Sequence, residues 1–161
     1  DNQLTSLPDD IGGLTALIEL RLYRNSLTCL PDAIGSLASL RELYVGNNKL
    51  SACPDSIGRM TSLRKLALHD NELRALPESL GALTKLTELS VRNNRIASVP
   101  ESLGNLTSLV RLDLRANRFR SLPNSIGDLP RLEKLDVRWN KLASVPDWID
   151  RLEKRGCAVF K

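Results

Sequence analysis

The side chains able to do covalent or acid–base chemistry are few. Asp113 and Asp136 stand 23 residues apart. On neighbouring strands in equal register their carboxyls would approach the roughly 5 Å separation of a retaining glycosidase pair. Arg111, Arg115 and Arg138 share that stretch and hold both acids ionised, so neither suits the part of general acid. Ser90 falls near His69 in the same register, the beginnings of a hydroxyl nucleophile and its base. No residue evident in the sequence orients that imidazole, and no pocket is in prospect around it. One histidine with cysteines at 29, 53 and 157 makes no ordinary zinc site. The glycines follow a fixed period rather than a phosphate-binding or dinucleotide fingerprint. The chemistry on offer is contact: Tyr, Trp and Arg anchor protein interfaces, each contributing about 2 kcal/mol or more at a hot spot.

What positions these residues is a repeat. Asn recurs at 2, 25, 48, 71, 94, 117 and 140, and Pro at 8, 31, 54, 77, 100, 123 and 146. Gly keeps the same step of 23 at 12, 35, 58, 81, 104 and 127. Seven apolar columns travel with them, giving L-x-x-L-x-L-x-x-N-x-L-x-x-L-P-x-x-I-G-x-L-x-x. The alternating L-x-L suits a short strand with one buried face, and successive strands stack in parallel at about 4.8 Å. The Asn amide can donate and accept where the chain turns away from the sheet, satisfying backbone groups of its own turn and the adjacent one. Pro suits the first turn of a short helix or 3₁₀ segment on the return side. Gly permits a close backbone approach or a left-handed residue. No unit buries its own apolar face, but stacked units share one core.

This unit resembles the leucine-rich repeat. Its LPxxIGxLxxL ending is similar to the class in intracellular Ras-associated repeat proteins, among them the plant Ras-group and the Scribble and Erbin scaffolds, and to bacterial repeat proteins. The likeness runs from residue 2 to 154. It implies an α/β repeat solenoid, a horseshoe with a parallel concave sheet and short helical or 3₁₀ convex segments. It also implies a non-catalytic protein-binding module without cofactor, with function in the variable positions. The expected organisation is one leucine-rich repeat domain over residues 1–161: a partial repeat at 1–16, stacked repeats at 17–146, and a C-terminal cap at 147–161. Similar repeats precede GTPase, kinase or bacterial ubiquitin-ligase domains. The alternative implied is therefore the recognition segment of a larger enzyme.

The ends depart from the period. Residues 1–16 lack their own strand, so the strand at 17–22 is expected to present an unpaired edge that invites aggregation or pairing between copies. Further repeats or a cap are expected before Asp1. "VPDWIDRLEKRGCAVFK" replaces the repeat Gly with Asp150 and continues as a longer amphipathic helix. Trp148, Ile149 and Leu152 share its buried face, Gly156 stops it, and residues 157–160 add a short strand. Trp148 and Phe160 read as cap residues, and Cys157 as cap packing.

The concave face is read from the columns between the leucines. Tyr23, Gly46, His69, Arg92, Arg115 and Arg138 follow the third apolar position. Arg24, Asn47, Asp70, Asn93, Ala116 and Trp139 come one step later. Aromatics are only 4% of the chain, yet both tyrosines, the histidine and one of two tryptophans fall on this surface. The expected partner contacts are Tyr23, Tyr44, His69, Arg92, Arg115, Arg138 and Trp139. Two readings of Trp139 stand: a contact residue, or a shield for a final strand that no full repeat covers. Two readings of the Arg92–Arg115–Arg138 ladder stand as well: a patch for an acidic partner, or a salt-bridge lattice with Asp113 and Asp136, worth about 0–1 kcal/mol per pair. Interleaved acids argue against nucleic acid on this face.

Composition agrees with a binding module. The net charge of +4 permits an acidic partner without demanding one. No apolar run approaches the roughly 18–20 residues of a membrane span. Three cysteines form no disulfide framework, and Cys53 occupies a core leucine slot. A reducing cytosol is the expected setting, or the host cytosol for a secreted bacterial protein.

Overall fold

The computed structural model describes residues 2–161. Seven three-residue strands form one parallel sheet in chain order: β1 (Glu19–Arg21), β2 (Glu42–Tyr44), β3 (Lys65–Ala67), β4 (Glu88–Ser90), β5 (Arg111–Asp113), β6 (Lys134–Asp136) and β7 (Ala158–Phe160). Registers from β1 to β6 follow the period, with Leu20, Leu43, Leu66, Leu89, Leu112 and Leu135 in one row. From Leu43 to Leu135 that row is buried beneath the sheet. Strands stay short because one central leucine per strand points inward, and the chain must then turn for the return path.

The turn is held by the asparagines. Asn71 Oδ1 accepts from Leu50 N–H at 3.0 Å, and Nδ2 donates to the carbonyls of Val45 and Leu68, both at 3.0 Å. Asn48, Asn94 and Asn117 repeat this pattern, so each amide bonds its own turn and the preceding repeat. A buried backbone group left unpaired costs about 1–3 kcal/mol, which explains why asparagine recurs in this column.

The return path is 3₁₀. Segments such as Asp32–Ser36, Asp55–Arg59 and Glu78–Ala82 each begin after a proline near φ −70°, the angle its ring imposes. The repeat glycine faces the next unit: a Cβ on Gly58 would collide with the Ser79 backbone. Close stacking of the convex segments is the reason for glycine here.

At the C-terminal end α1 (Trp148–Lys154) replaces the 3₁₀ turn and buries Trp148, Ile149 and Leu152 against the last repeat. Arg155 donates to the Leu129 carbonyl at 3.0 Å, and Gly156 at φ +90° turns the chain into β7. Cys157 is buried, as is Cys53, whose thiol burial pushes up to about 12. At the other end, among the described residues, β1 pairs on one side only, with β2, and Leu14 and Ile18 are exposed. Among the described residues no helix is long and apolar enough to cross a membrane.

Candidate protein-binding face

The sheet's outer surface carries three side-chain columns, and its charges are largely matched. Arg115 Nε and Nη2 donate to Asp113 at 2.9 and 2.7 Å, and Nε also lies 3.4 Å from Asp136. Arg138 grips Asp136 the same way, at 3.0 and 2.7 Å. Arg92 meets Asp70 at 3.1 Å, Arg111 meets Glu88 at 2.9 Å, and Lys65 meets Glu42 at 3.3 Å. The hydrogen bond that Arg115 donates to Asp113 is the main cause that holds its guanidinium above its ordinary pKa. The lattice between Arg115, Arg138, Asp113 and Asp136 is thus present. It commits both carboxylates to guanidinium donors, and Asp136 is only 3% exposed.

Between these pairs the face is hollow. Ala67 and Ser90 are the smallest residues of the middle column, flanked by Tyr44 on one side and Asp113 on the other. The resulting cavity of about 280 Å³ is bordered also by Lys65, Glu88 and Arg111. That is room for about nine waters, or one side chain. Tyr44 is a fixed wall of it: its hydroxyl donates to Glu42 at 2.5 Å and the Arg21 guanidinium lies 5.8 Å from its ring centre. That bond, with burial, pushes the Tyr44 phenol up to about 12 and, opposed by burial, draws the Glu42 carboxyl down.

Two expectations about His69 are corrected. The imidazole does have an orienting group, since Nδ1 lies 2.8 Å from Asp70 Oδ2. A cavity does border Ser90. No hydrogen bond joins Ser90 to His69 among the described residues, so nucleophile and base are not coupled. The ring lies over Gly46, where any Cβ would strike it. Burial raises the Asp70 pKa, but bonds from Asn93 (2.6 Å), His69 and Arg92 outweigh it and hold the carboxyl below its usual value.

The rim column was not legible as what it is. Arg24, Asn47, Asp70, Asn93, Ala116 and Trp139 all have left-handed backbone, with φ between 51° and 59°. Asn and Asp tolerate this conformation; a bulky residue there is strained. Trp139 combines φ 59° with 70% exposure, so little of its ring lies against the protein. The strand beneath it is covered by β7 instead.

Phe160, in the cap strand β7, also lies on the concave face, where it was not expected. The last unit is 24 residues long, pairing Lys134 with Ala158 and Asp136 with Phe160. Its ring, 38% exposed, extends the middle column beyond Asp136. The Arg138 guanidinium lies 5.0 Å from the Phe160 ring centre and 5.3 Å from that of Trp139, with Lys134 at 5.2 Å from Phe160. Of the other expected contacts, Tyr23 is exposed while Tyr44, His69, Arg92, Arg115 and Arg138 are half-buried. They occupy one face, but only Arg138 is brought together with Trp139 and Phe160, with Arg115 beside it across Asp136, whereas Tyr23 and Tyr44 lie toward the other end.

Comparison with known proteins agrees with this geometry. A family model described as "Leucine-rich repeat region" matches residues 1–94, and one described as "Leucine rich repeat" matches residues 84–142. A leucine-rich repeat protein of Leptospira interrogans superposes with TM-score 0.91 at 31% identity, over 99% of this chain and 41% of its own. The ectodomain of the Arabidopsis thaliana membrane receptor kinase GASSHO1/SCHENGEN3, solved in complex with CASPARIAN STRIP INTEGRITY FACTOR 2, gives TM-score 0.76 at 28% identity, over 92% of this chain and 22% of its own. A TDR receptor gives 0.85 at 30% identity, over 92% and 27%. The chain therefore spans about two fifths, or less, of the length of these relatives. No curated protein matches it in sequence.

Proposed function

Because the chain belongs to the leucine-rich repeat family, we propose that it is a non-catalytic module whose concave face grips a protein partner. The observation that carries this reading is Trp139. An indole 70% in solvent, on a left-handed backbone that disfavours bulky residues, contributes nothing to the core. Strain of that kind persists where contact with another molecule makes use of it. The receptor relative bound to CASPARIAN STRIP INTEGRITY FACTOR 2 supports the same use of the fold. A curved, rigid sheet loses little entropy on binding, so its surface need not be large.

The contacts we assign are Tyr23, Tyr44, His69, Arg92, Arg115, Arg138 and Trp139, now with Phe160. Arg115 and Arg138 spend donors on their own aspartates but keep further N–H groups for a partner carboxylate, which favours an acidic segment. The exposed thiol of Cys29 suits a reducing compartment.

The experiment is a comparative capture from matched lysate with wild type and a Tyr23→Ala/Arg92→Ala/Trp139→Ala variant. These three sites leave the Arg115–Arg138 lattice intact, and melting curves check that the variant folds. A protein retained by wild type and lost with the folded variant is the expected outcome. Equal retention by both sinks the concave site.

A further inference from the structure

Positive charge is not spread evenly over this molecule. Beyond the rim, the segments joining each ladder asparagine to the next proline form a flank of the solenoid. They hold Lys49, Arg74, Arg95, Arg118, Arg120 and Lys141, all exposed, against a single carboxylate, Glu72. Six cations and one anion on this strip exceed the +4 of the whole chain. Glu72 is taken by Arg95 at 3.1 Å. Among the described residues no carboxylate pairs with Arg118, Arg120 or Lys141. The concave sheet interleaves its arginines with aspartates; the flank does not.

The flank is also ordered. Arg118 N–H donates to the Ile96 carbonyl at 2.9 Å and Lys141 N–H to that of Phe119 at 3.0 Å. Arg95, Arg118 and Lys141 are thereby successive rungs, near the roughly 4.8 Å spacing of stacked strands. The rim between flank and concave face is lowest at Ala116, a methyl group between Asn93 and Trp139. Arg115 stands on the concave side of that gap and Arg118 on the flank side.

We infer that this flank is a docking strip for an extended acidic segment of a protein partner, one that leaves the concave face over Ala116, beside Trp139, and continues across Arg118, Arg120 and Lys141. Only its path rests on the concave-face reading; its preference for an acidic chain stands by itself. Extended peptide projects side chains to one face every ~6.8 Å, and guanidinium groups take carboxylates two bonds at a time. Nucleic-acid strands call for stacked aromatics along the groove, and Trp139 is the one exposed ring near this strip. A membrane surface calls for a continuous apolar face, whereas among the described residues the large apolar side chains exposed on or beside the strip, Leu4, Trp139 and Val145, are scattered.

The test is fluorescence anisotropy with a labelled glutamate-rich peptide, on wild type and on an Arg118→Glu/Arg120→Glu/Lys141→Glu variant. A Tyr23→Ala/Arg92→Ala variant serves as the concave control. All three substituted flank side chains are exposed and have no carboxylate partner among the described residues, so the reversal leaves the fold in place, as circular dichroism will show. Wild type is expected to bind with a salt-dependent affinity that charge reversal weakens by about tenfold or more, while the concave control stays within about twofold. Absence of peptide binding by wild type, or equal binding by the reversed variant, overturns the proposal. So does tighter binding of a single-stranded oligonucleotide or of phosphatidylserine vesicles at the same salt. Because the concave capture uses different residues, either surface can fail without the other.

Discussion

Asn48 and Asn47 are neighbours in the chain, each one member of a 23-residue column, and the two columns behave oppositely. The column of Asn48 never varies, because four hydrogen bonds of its amide hold three strand-end carbonyls and one N–H across two repeats. The column of Asn47 contains Arg, Asn, Asp, Ala and Trp, yet every member adopts the same left-handed backbone. In one column the turn demands a side chain; in the other it demands only a conformation. A position whose backbone is dictated and whose side chain is free is where a solenoid can change partners without changing fold. Trp139, the least suitable residue for that backbone, is the extreme case.

The same substitution at both sites sharpens this contrast. Asn48→Gly removes the ladder rung and leaves buried backbone groups unpaired, an expected loss of about 3 kcal/mol or more in urea unfolding. Asn47→Gly keeps the backbone its residue already has, and stability should stay within about 0.5 kcal/mol. Comparable losses at the two sites would dissolve the distinction.

A second recurring column, the convex glycines, predicts the next largest effect. Gly58→Ala inserts a methyl against the Ser79 backbone, which cannot move aside as a flexible side chain would. Overpacking of this kind costs about 1–3 kcal/mol. Gly13→Ala, where nothing lies within 4 Å of the added carbon, is the matched control and should not destabilise. Paired chemical denaturation of the two variants decides it.

These contrasts also explain what the sequence disclosed. Leucine, asparagine, proline and glycine recur with the period because interior geometry repeats, so strands, ladder, 3₁₀ turns and the Phe119 core slot are all legible. The rim conformation is not, since the column has no glycine, and the hint given by Asn47, Asp70 and Asn93 is masked by Arg24, Ala116 and Trp139. Phe160 escaped because one extra residue in the last unit shifts its register, and a fixed step of 23 assigns it elsewhere. The His69–Asp70 pair is a rotamer choice between adjacent residues, invisible to any column. The cavity over Ala67 and Ser90 is defined by what is missing between Tyr44 and Asp113, and depth does not show in one dimension.

Trp139 allows the rim to be tested in the stabilising direction. Trp139→Asn substitutes a residue that accepts φ near 60°, while the indole removed is mostly in solvent. The expected change is a gain of about 0.5–1 kcal/mol, with capture of the concave partner lost. A loss of stability instead would mean that its contact with Arg138 matters to the fold, and would restore a structural account of the residue.

The smallest effect belongs to the other end of the face, where Tyr44 differs from Trp139 in being tied down. Its phenol titrates at about 12 because Glu42 accepts its proton in a hydrogen bond, while a free tyrosine titrates near 10. The folded state thus holds this proton more tightly than the unfolded chain does. The resulting stabilisation is complete below about pH 10 and is lost as pH rises toward about 12. Glu42 answers from the acid side: its lowered pKa stabilises the fold above the ordinary carboxylate range, and that contribution fades as pH falls. Tyrosinate absorbance, followed from pH 9 upward in wild type and Tyr44→Phe, isolates the first of these by difference. The difference curve should rise near pH 12 in native protein and near pH 10 in urea. A native midpoint near 10 would mean that the Tyr44 hydroxyl is free, and that both ends of the face present unattached aromatics to a partner.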